Sequence, residues 1–282
     1  MREGLVKARI ILVLPIYNES STVGEVLREA SPYCDLMLAI DDGSSDHTHA
    51  ILEQYRREHP HLTIASHSYN RGMSEAILTA FLIIDDALRE GMLSLEDVVV
   101  LMDSDGQHDP KDIPRLLAGI QTGQSDLVVG RRGFEQYPWI KRLGNWGLSW
   151  WASVWSEKTY HDAECGFRAL HMAFLVDLLP YFNPTQYGWA QEMDVIAGLR
   201  GWRIQSDVAI RIRRYRKGAR PIHGLNNARS ALAARCRVLR HDRIVRPPGA
   251  LNALDRGNQA FGLDIVDGET SAGVNQEPIS PG

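Results

Sequence analysis

Val98-Val99-Val100-Leu101-Met102-Asp103-Ser104-Asp105-Gly106 is an apolar run that ends abruptly in two carboxylates one residue apart. A short aliphatic run closed by a glycine-containing polar cluster reads as a strand, Val98 to Met102. In extended chain, residues two apart point the same way, so Asp103 and Asp105 can face one cation; hard oxygen ligands suit Mg2+ or Mn2+. Two acids in a loop also serve as helix caps, and the pair alone does not separate these readings.

The same layout recurs on the N-terminal side. Ile10 to Pro15 reads as a first strand, followed by a helix that Ser20 or Ser21 can cap and that runs to about Ala30. Leu36 to Ile40 reads as a second strand, turned by Asp41-Asp42-Gly43-Ser44 into a helix that Asp46 can cap. Thr63 to Ser66 is a weak third strand. After Asn70-Arg71-Gly72 a long helix puts Ala76, Ile77, Ala80, Phe81, Ile84 and Leu88 on one face. Beyond Asp105, a helix is predicted from Lys111 to Ile120 and a fifth strand from Asp126 to Gly130, and later a helix near Ala190 to Leu199 and a basic strand from Val208 to Arg216. Strands alternating with amphipathic helices specify an α/β fold with a mostly parallel sheet. The polar clusters all follow strand carboxyl ends, the edge at which open α/β sheets bind ligands.

Composition excludes several classes. The 282 residues are 44% hydrophobic and 23% charged, with a formal net charge of -4, so no general affinity for nucleic acid is expected. Cys34, Cys165 and Cys236 lack metal-ligand spacing and cannot all pair within one chain, which suits a reducing, cytoplasmic setting. No run of about 18 apolar residues suggests a membrane span, and the Trp-rich stretch 146–155 is interrupted by Ser149 and Ser153. Past about Pro247 the chain lacks apolar patterning, and 247–282 is expected to be a disordered tail.

Taken in order, Pro15-Ile16-Tyr17-Asn18-Glu19, Asp41-Asp42-Gly43-Ser44-Ser45-Asp46 and Asp103-Ser104-Asp105-Gly106-Gln107-His108 resemble glycosyltransferase family 2. The branch they are most similar to transfers mannose or glucose to dolichyl or polyprenyl phosphate. Asp126 to Arg132, Gly166-Phe167-Arg168-Ala169, Glu192 and Gly201-Trp202-Arg203-Ile204 extend the likeness over about residues 9 to 220. The resemblance implies a GT-A, Rossmann-like domain over 1–220. Residues 9–131 would be its nucleotide-sugar half and 132–220 an acceptor-side α+β half; beyond the resemblance, 221–246 reads from its own arginines as a basic helical segment.

The resemblance also implies roles. Pro15, Tyr17, Glu19 and Asp42 would line the nucleotide pocket, and Arg71 with Gly72 would form a turn near the diphosphate. Asp103, Asp105 and Gln107 would hold the metal, and Arg132, Arg142 and Arg168 would match arginines of the lipid-phosphate branch. Direct displacement would invert the anomeric carbon. The donor would be of the GDP-mannose or UDP-glucose type.

The acceptor decides what else is needed. A sugar hydroxyl requires a carboxylate base, for which Asp162, Glu164, Glu192 and Asp194 are the candidates, Glu164 reading better as a structural ion pair, whereas a lipid phosphate is already anionic and needs only positive charge. In a strand, Arg214 and Arg216 point to one face and can clamp a phosphate; a solvated basic edge is an equal reading for Arg211 and Arg213. His108 reads as a turn histidine ahead of a ligand. Two departures weigh against the lipid acceptor: Gly218 is followed by Ala219, Arg220 and Pro221 where relatives often have Ser-Lys, and the C-terminal transmembrane helices of many relatives have no counterpart. Arg229, Arg235, Arg237, Arg240, Arg243 and Arg246 can form a basic amphipathic helix drawn to anionic headgroups, or a surface helix packed on the domain. Transfer to a saccharide or small hydroxyl, and a nucleotidyltransferase or nucleotide-binding module, are the alternatives; no glycine-rich triphosphate loop supports the latter.

Overall fold

The computed structural model describes residues 8–134, 137–184, 188–213 and 221–244. Seven strands form one sheet in the order β3-β2-β1-β4-β6-β5-β7. They are β1 (Ile10–Ile16), β2 (Leu36–Asp41), β3 (Leu62–Ser66), β4 (Val98–Leu101), β5 (Leu127–Arg132), β6 (Arg168–His171) and β7 (Ile204–Ile210). Strand β1 runs parallel to β2 and β4, β2 to β3, and β5 to β7, while β6 alone is antiparallel to its neighbours β4 and β5. The mostly parallel α/β sheet matches the sequence expectation.

Burial explains the middle of the sheet. Every residue of β2 and β4 is buried, as is all of β1 after Ile10, so these strands carry no polar alternation and need cover on both faces. Helix α3 (Met73–Arg89) supplies part of that cover with Ala76, Ile77, Ala80, Phe81 and Ile84. Burying a side chain such as Phe81 contributes roughly 1.5–3 kcal/mol. Helices α1 (Val23–Ala30), α2 (Thr48–Glu58) and α4 (Ile113–Gln121) complete the first half. In the second half come α5 (Trp139–Ser156), α6 (Met172–Leu178), α7 (Trp189–Leu199) and α8 (Pro221–Arg240), with α5, α7 and α8 packed on one another.

Two expectations need correction. The basic strand lies upstream of its predicted position, at Ile204–Ile210, and Arg211 and Arg213 follow it. They are held by carboxylates: Arg211 donates through its backbone N–H to Asp112 at 2.7 Å, and Arg213 pairs with Glu29. Arg214, Arg216 and the 247–282 tail lie outside the described residues. The stretch leading into Gly166-Phe167-Arg168 also feeds an additional strand, β6, between β4 and β5.

This topology positions the site. From β1 the chain moves outward through β2 to β3, then returns to β4 on the other side of β1. The carboxyl ends of β1 and β4 therefore flank the point where strand order reverses, the crevice that open α/β sheets use for ligands.

Candidate active site

Hydrogen bonds tie together the loops that leave β1, β2 and β4. Ser104 Oγ donates to the Pro15 carbonyl at 2.9 Å, locking the acidic loop to the end of β1, and Thr22 Oγ1 lies 3.2 Å from the Ser104 carbonyl. The β2 loop is joined through Asn18, whose N–H donates to Ser44 Oγ at 3.0 Å and whose Oδ1 accepts from Ser45 N–H at 2.8 Å. Glycine is required in that loop. Gly43 has φ +68°, and a Cβ there would collide with the backbone of Tyr69.

The acidic loop alternates in exposure: Asp103, Asp105 and Gln107 are partly open, while Ser104, Gly106 and His108 are buried. Asp103, with 29% of its side chain open, lies against the Asp162–Gly166 turn, where a Cβ on Gly166 would come within 2.8 Å of the Asp103 carboxylate. Burial pushes the Asp103 carboxyl above its ordinary range; Glu19 adds to the effect and Arg132 opposes it. Asp105 accepts from Gln107 N–H at 2.9 Å and from the Gln107 side chain, so Gln107 orients one of the acids. Among the described residues no three His, Cys, Asp or Glu side chains converge as a ready-made metal cage. The donor set fits an ion that takes one or two carboxylates from the protein and its remaining oxygens from a bound phosphate and water, as Mg2+ does.

His108 is a turn residue. It stacks on Phe167 with ring centroids 5.0 Å apart, and Asp103 N–H donates to its Nδ1 at 3.4 Å. Burial lowers its pKa to about 4, so the ring is neutral at pH 7 and its 3.7 Å approach to the Asp103 carboxylate is no ion pair there.

On the nucleotide side, Pro15 is buried in β1, Glu19 is partly buried and accepts from Thr22 Oγ1 at 2.8 Å, and Tyr17 is 45% exposed at the strand end. Asp42, expected to hold the base, is buried under the Arg71–Gly72 turn. Its carboxylate accepts from Arg71 N–H at 2.8 Å and Gly72 N–H at 2.7 Å, and lies 2.6 Å from His67 Nδ1. Asp42 thereby fixes the turn that opens α3, with Gly72 at φ +94°. His67, whose Nε2 reaches Thr79 Oγ1 at 3.0 Å, completes this network. Nothing in the sequence singled it out, because a lone histidine after a weak strand carries no pattern.

On the acceptor side, Arg132 ends β5 and grips Asp162, whose side chain is wholly buried; Nε and Nη2 each donate at 2.7 Å, and Nη2 also reaches Asn145 Oδ1 at 3.1 Å. Phe134 and Tyr137 lie beside the guanidinium, at 5.6 and 6.0 Å. Arg142 is exposed on α5. Arg168 turns into the core. It is 0% exposed, pairs with Asp194 at 2.5 Å, donates to the Cys165 and Ala163 carbonyls, and stacks on Trp189. Glu192 is likewise engaged, with Arg237 of α8 at 2.5 Å and the Asn183 N–H at 3.0 Å.

Comparison with known proteins places the family and the fold. The undecaprenyl-phosphate mannosyltransferase of Micrococcus luteus is 29% identical over 206 residues, 70% of this chain and 80% of that protein. The UDP-N-acetylglucosamine–dolichyl-phosphate N-acetylglucosaminyltransferase of Methanococcus voltae is 27% identical over 206 residues, covering 67% of this chain and 79% of that one. The fold is similar to that of glucosyl-3-phosphoglycerate synthase from Mycobacterium tuberculosis crystallised with UDP: TM-score 0.59, 21% identity, 81% of this chain and 79% of that chain covered. The model of the family described as Glycosyl transferase family 2 matches residues 11–166, more than half of the chain. The chain belongs to glycosyl transferase family 2 and is a glycosyltransferase.

Proposed function

We propose that the protein moves a hexose, mannose or glucose, from a nucleoside-diphosphate sugar to a polyprenyl or dolichyl phosphate with inversion. The observation that carries the acceptor assignment is the pairing of Arg132 with Asp162. A hydroxyl acceptor needs a carboxylate free to take its proton. Of the four candidates, Asp162, Glu192 and Asp194 are instead bound to arginines, and Glu164 is held by the Gln191 and Asn227 amides. A phosphate acceptor needs no base, and a guanidinium held close enough to influence Asp103 electrostatically is placed to attract it. The two named relatives, whose names specify dolichyl and undecaprenyl phosphate, support the same reading.

In this reading Tyr17 packs on the nucleotide base, and the Asp42-braced turn at Arg71 and Gly72 presents the N-terminus of α3 to the diphosphate. Asp103 and Asp105, with Gln107 orienting the latter, hold Mg2+ or Mn2+. When bound, the ion neutralises charge on the departing diphosphate. Arg132 orients the acceptor phosphate, with Asp162 fixing the guanidinium.

Labelled UDP-glucose or GDP-mannose offered with polyprenyl phosphate, or with the matching polyprenol, in detergent tests the assignment. Transfer to the phosphate alone is expected. Transfer to the alcohol at a comparable rate would require a base and would overturn it.

A further inference from the structure

The α5 helix turns an aromatic row toward solvent. Trp139, Leu143, Trp146, Trp150 and Val154 recur at intervals of three and four, and the three indoles are 71%, 66% and 56% exposed. The helix α8, packed beside α5, exposes Leu225, Leu232 and Leu239 at intervals of seven. The two helices are fastened by Trp151 Nε1 donating to the Ala228 carbonyl at 3.0 Å and Arg235 Nη1 to the Trp155 carbonyl at 2.7 Å. These rows are outward-facing by packing, since Ser149, Ala152, Ala231 and Ala234 occupy the buried sides.

Charge identifies the occupant. Over their 18 and 20 residues, α5 and α8 carry six Lys or Arg and no Asp or Glu, in a chain whose net charge is -4. Arg235 and Arg237 pair with Glu157 and Glu192 on neighbouring segments, while Arg142, Arg229 and Arg240 are exposed. A second copy of the chain meeting this face would set two cationic surfaces together with no acid on either helix to answer them. Indoles beside arginines match the headgroup layer of an anionic bilayer, where Trp seeks the boundary between apolar and wet. Among the described residues no helix is long and apolar enough to cross a membrane, so such a face would lie in the interface plane.

We infer that the exposed face of α5 and α8 is a docking surface for an anionic lipid bilayer. The site is reached through the same helix: Asn145, a partly buried residue of α5, accepts from Arg132 at 3.1 Å. A docked α5 therefore links Arg132 to the docked face through Asn145. Docking rests on the apolar and charge pattern; its purpose, bringing a lipid-borne phosphate to Arg132, rests on the function proposed above.

The experiment is flotation of the full chain with vesicles of phosphatidylcholine, with or without about one third phosphatidylglycerol, and no polyprenyl phosphate. Binding to the anionic vesicles, weakened by salt, is expected. Trp146→Ser with Trp150→Ser, and separately Arg229→Glu with Arg240→Glu, should each lower partition by about tenfold or more with unchanged circular dichroism and donor binding. The inference is overturned by an unbound wild type, by variants that float like wild type, or by a concentration-dependent dimer that the tryptophan variant dissolves without any vesicle binding. Transfer to detergent-dispersed polyprenyl phosphate is measured in parallel, so the acceptor assignment and the docking surface can fail independently.

Discussion

Arg132 and Asp162 form a two-pronged ion pair, 2.7 Å at each prong, with the Asp162 side chain wholly buried and the Arg132 side chain 18% open. One member was expected to bind the acceptor and the other to activate it. Their pairing makes them a single device, a guanidinium fixed in direction by an acid that is no longer free to remove a proton.

That device has a kinetic signature. A catalytic base sets the acidic limb of the rate profile, and Asp162→Asn would erase that limb if Asp162 filled this role. The expected outcome is a lower kcat/KM for acceptor, from a guanidinium that has lost its anchor, with the acidic limb retained. Arg132→Lys keeps the charge but loses the fork, and should cost roughly tenfold in acceptor kcat/KM while donor hydrolysis changes little.

The Arg168–Asp194 pair is structural. Asp194→Ala leaves a guanidinium in the core without its counter-charge, and breaking such a buried pair typically costs about 3–5 kcal/mol. Denaturant unfolding should show that loss, with acceptor KM near wild type in the surviving fold. A fall in acceptor affinity without loss of stability would instead put Arg168 in the binding site.

Gly43→Ala forces a side chain into a left-handed position and against the Tyr69 backbone. The conformation alone costs about 1–2 kcal/mol. Because the displaced segment leads to the turn that Asp42 holds, donor affinity should fall along with the melting temperature. Wild-type donor binding in this variant would separate the two loops.

Glu164 provides a pH-dependent stability term. Gln191 Nε2 and Asn227 Nδ2 donate to its carboxylate at 2.8 and 2.6 Å, and burial pushes its pKa up. The folded state therefore binds a proton more readily than the unfolded one. Stability contributed by this proton is present at low pH and is lost as pH rises from the ordinary glutamate range through the raised folded value. Glu164→Gln removes that decline, and its added N–H can answer the unpartnered Gln191 Oε1 or Asn227 Oδ1. The variant should gain on wild type as pH increases from about 4 to 7 in denaturant titrations; a difference independent of pH would contradict the linkage.

Much of this architecture is legible in the chain. β1 and β4 are apolar throughout, and β2 is apolar up to its last residue, Asp41, because both sheet faces are covered, and the polar clusters behind them mark the ligand edge. β6 was not legible: it is four residues long and begins with a buried arginine, which in sequence looks like a surface charge. The basic strand was misplaced because β7 is only weakly alternating, with Ser206 and Ile210 as its buried positions, and the arginines beyond it drew the prediction onward. In the site, the residue types and their strand ends could be read directly. Their partners could not, since pairing is a tertiary fact: no local signal says that Arg168 turns inward to Asp194 while Arg132 turns to Asp162. Helix α5 was hidden by its exposed tryptophans, which disguise the buried stripe that ordinarily reveals a helix.

The central claim is that Asp103 and Asp105 hold a divalent ion that engages the donor diphosphate. Calorimetric titration of UDP-glucose and GDP-mannose into wild type and Asp105→Ala, each with Mn2+ and with chelator, tests it most directly. The account predicts that one donor binds wild type only with metal, and that chelator or the substitution weakens binding by more than about tenfold with the fold intact. Equal donor affinity with and without metal, or in the variant and wild type, would contradict it.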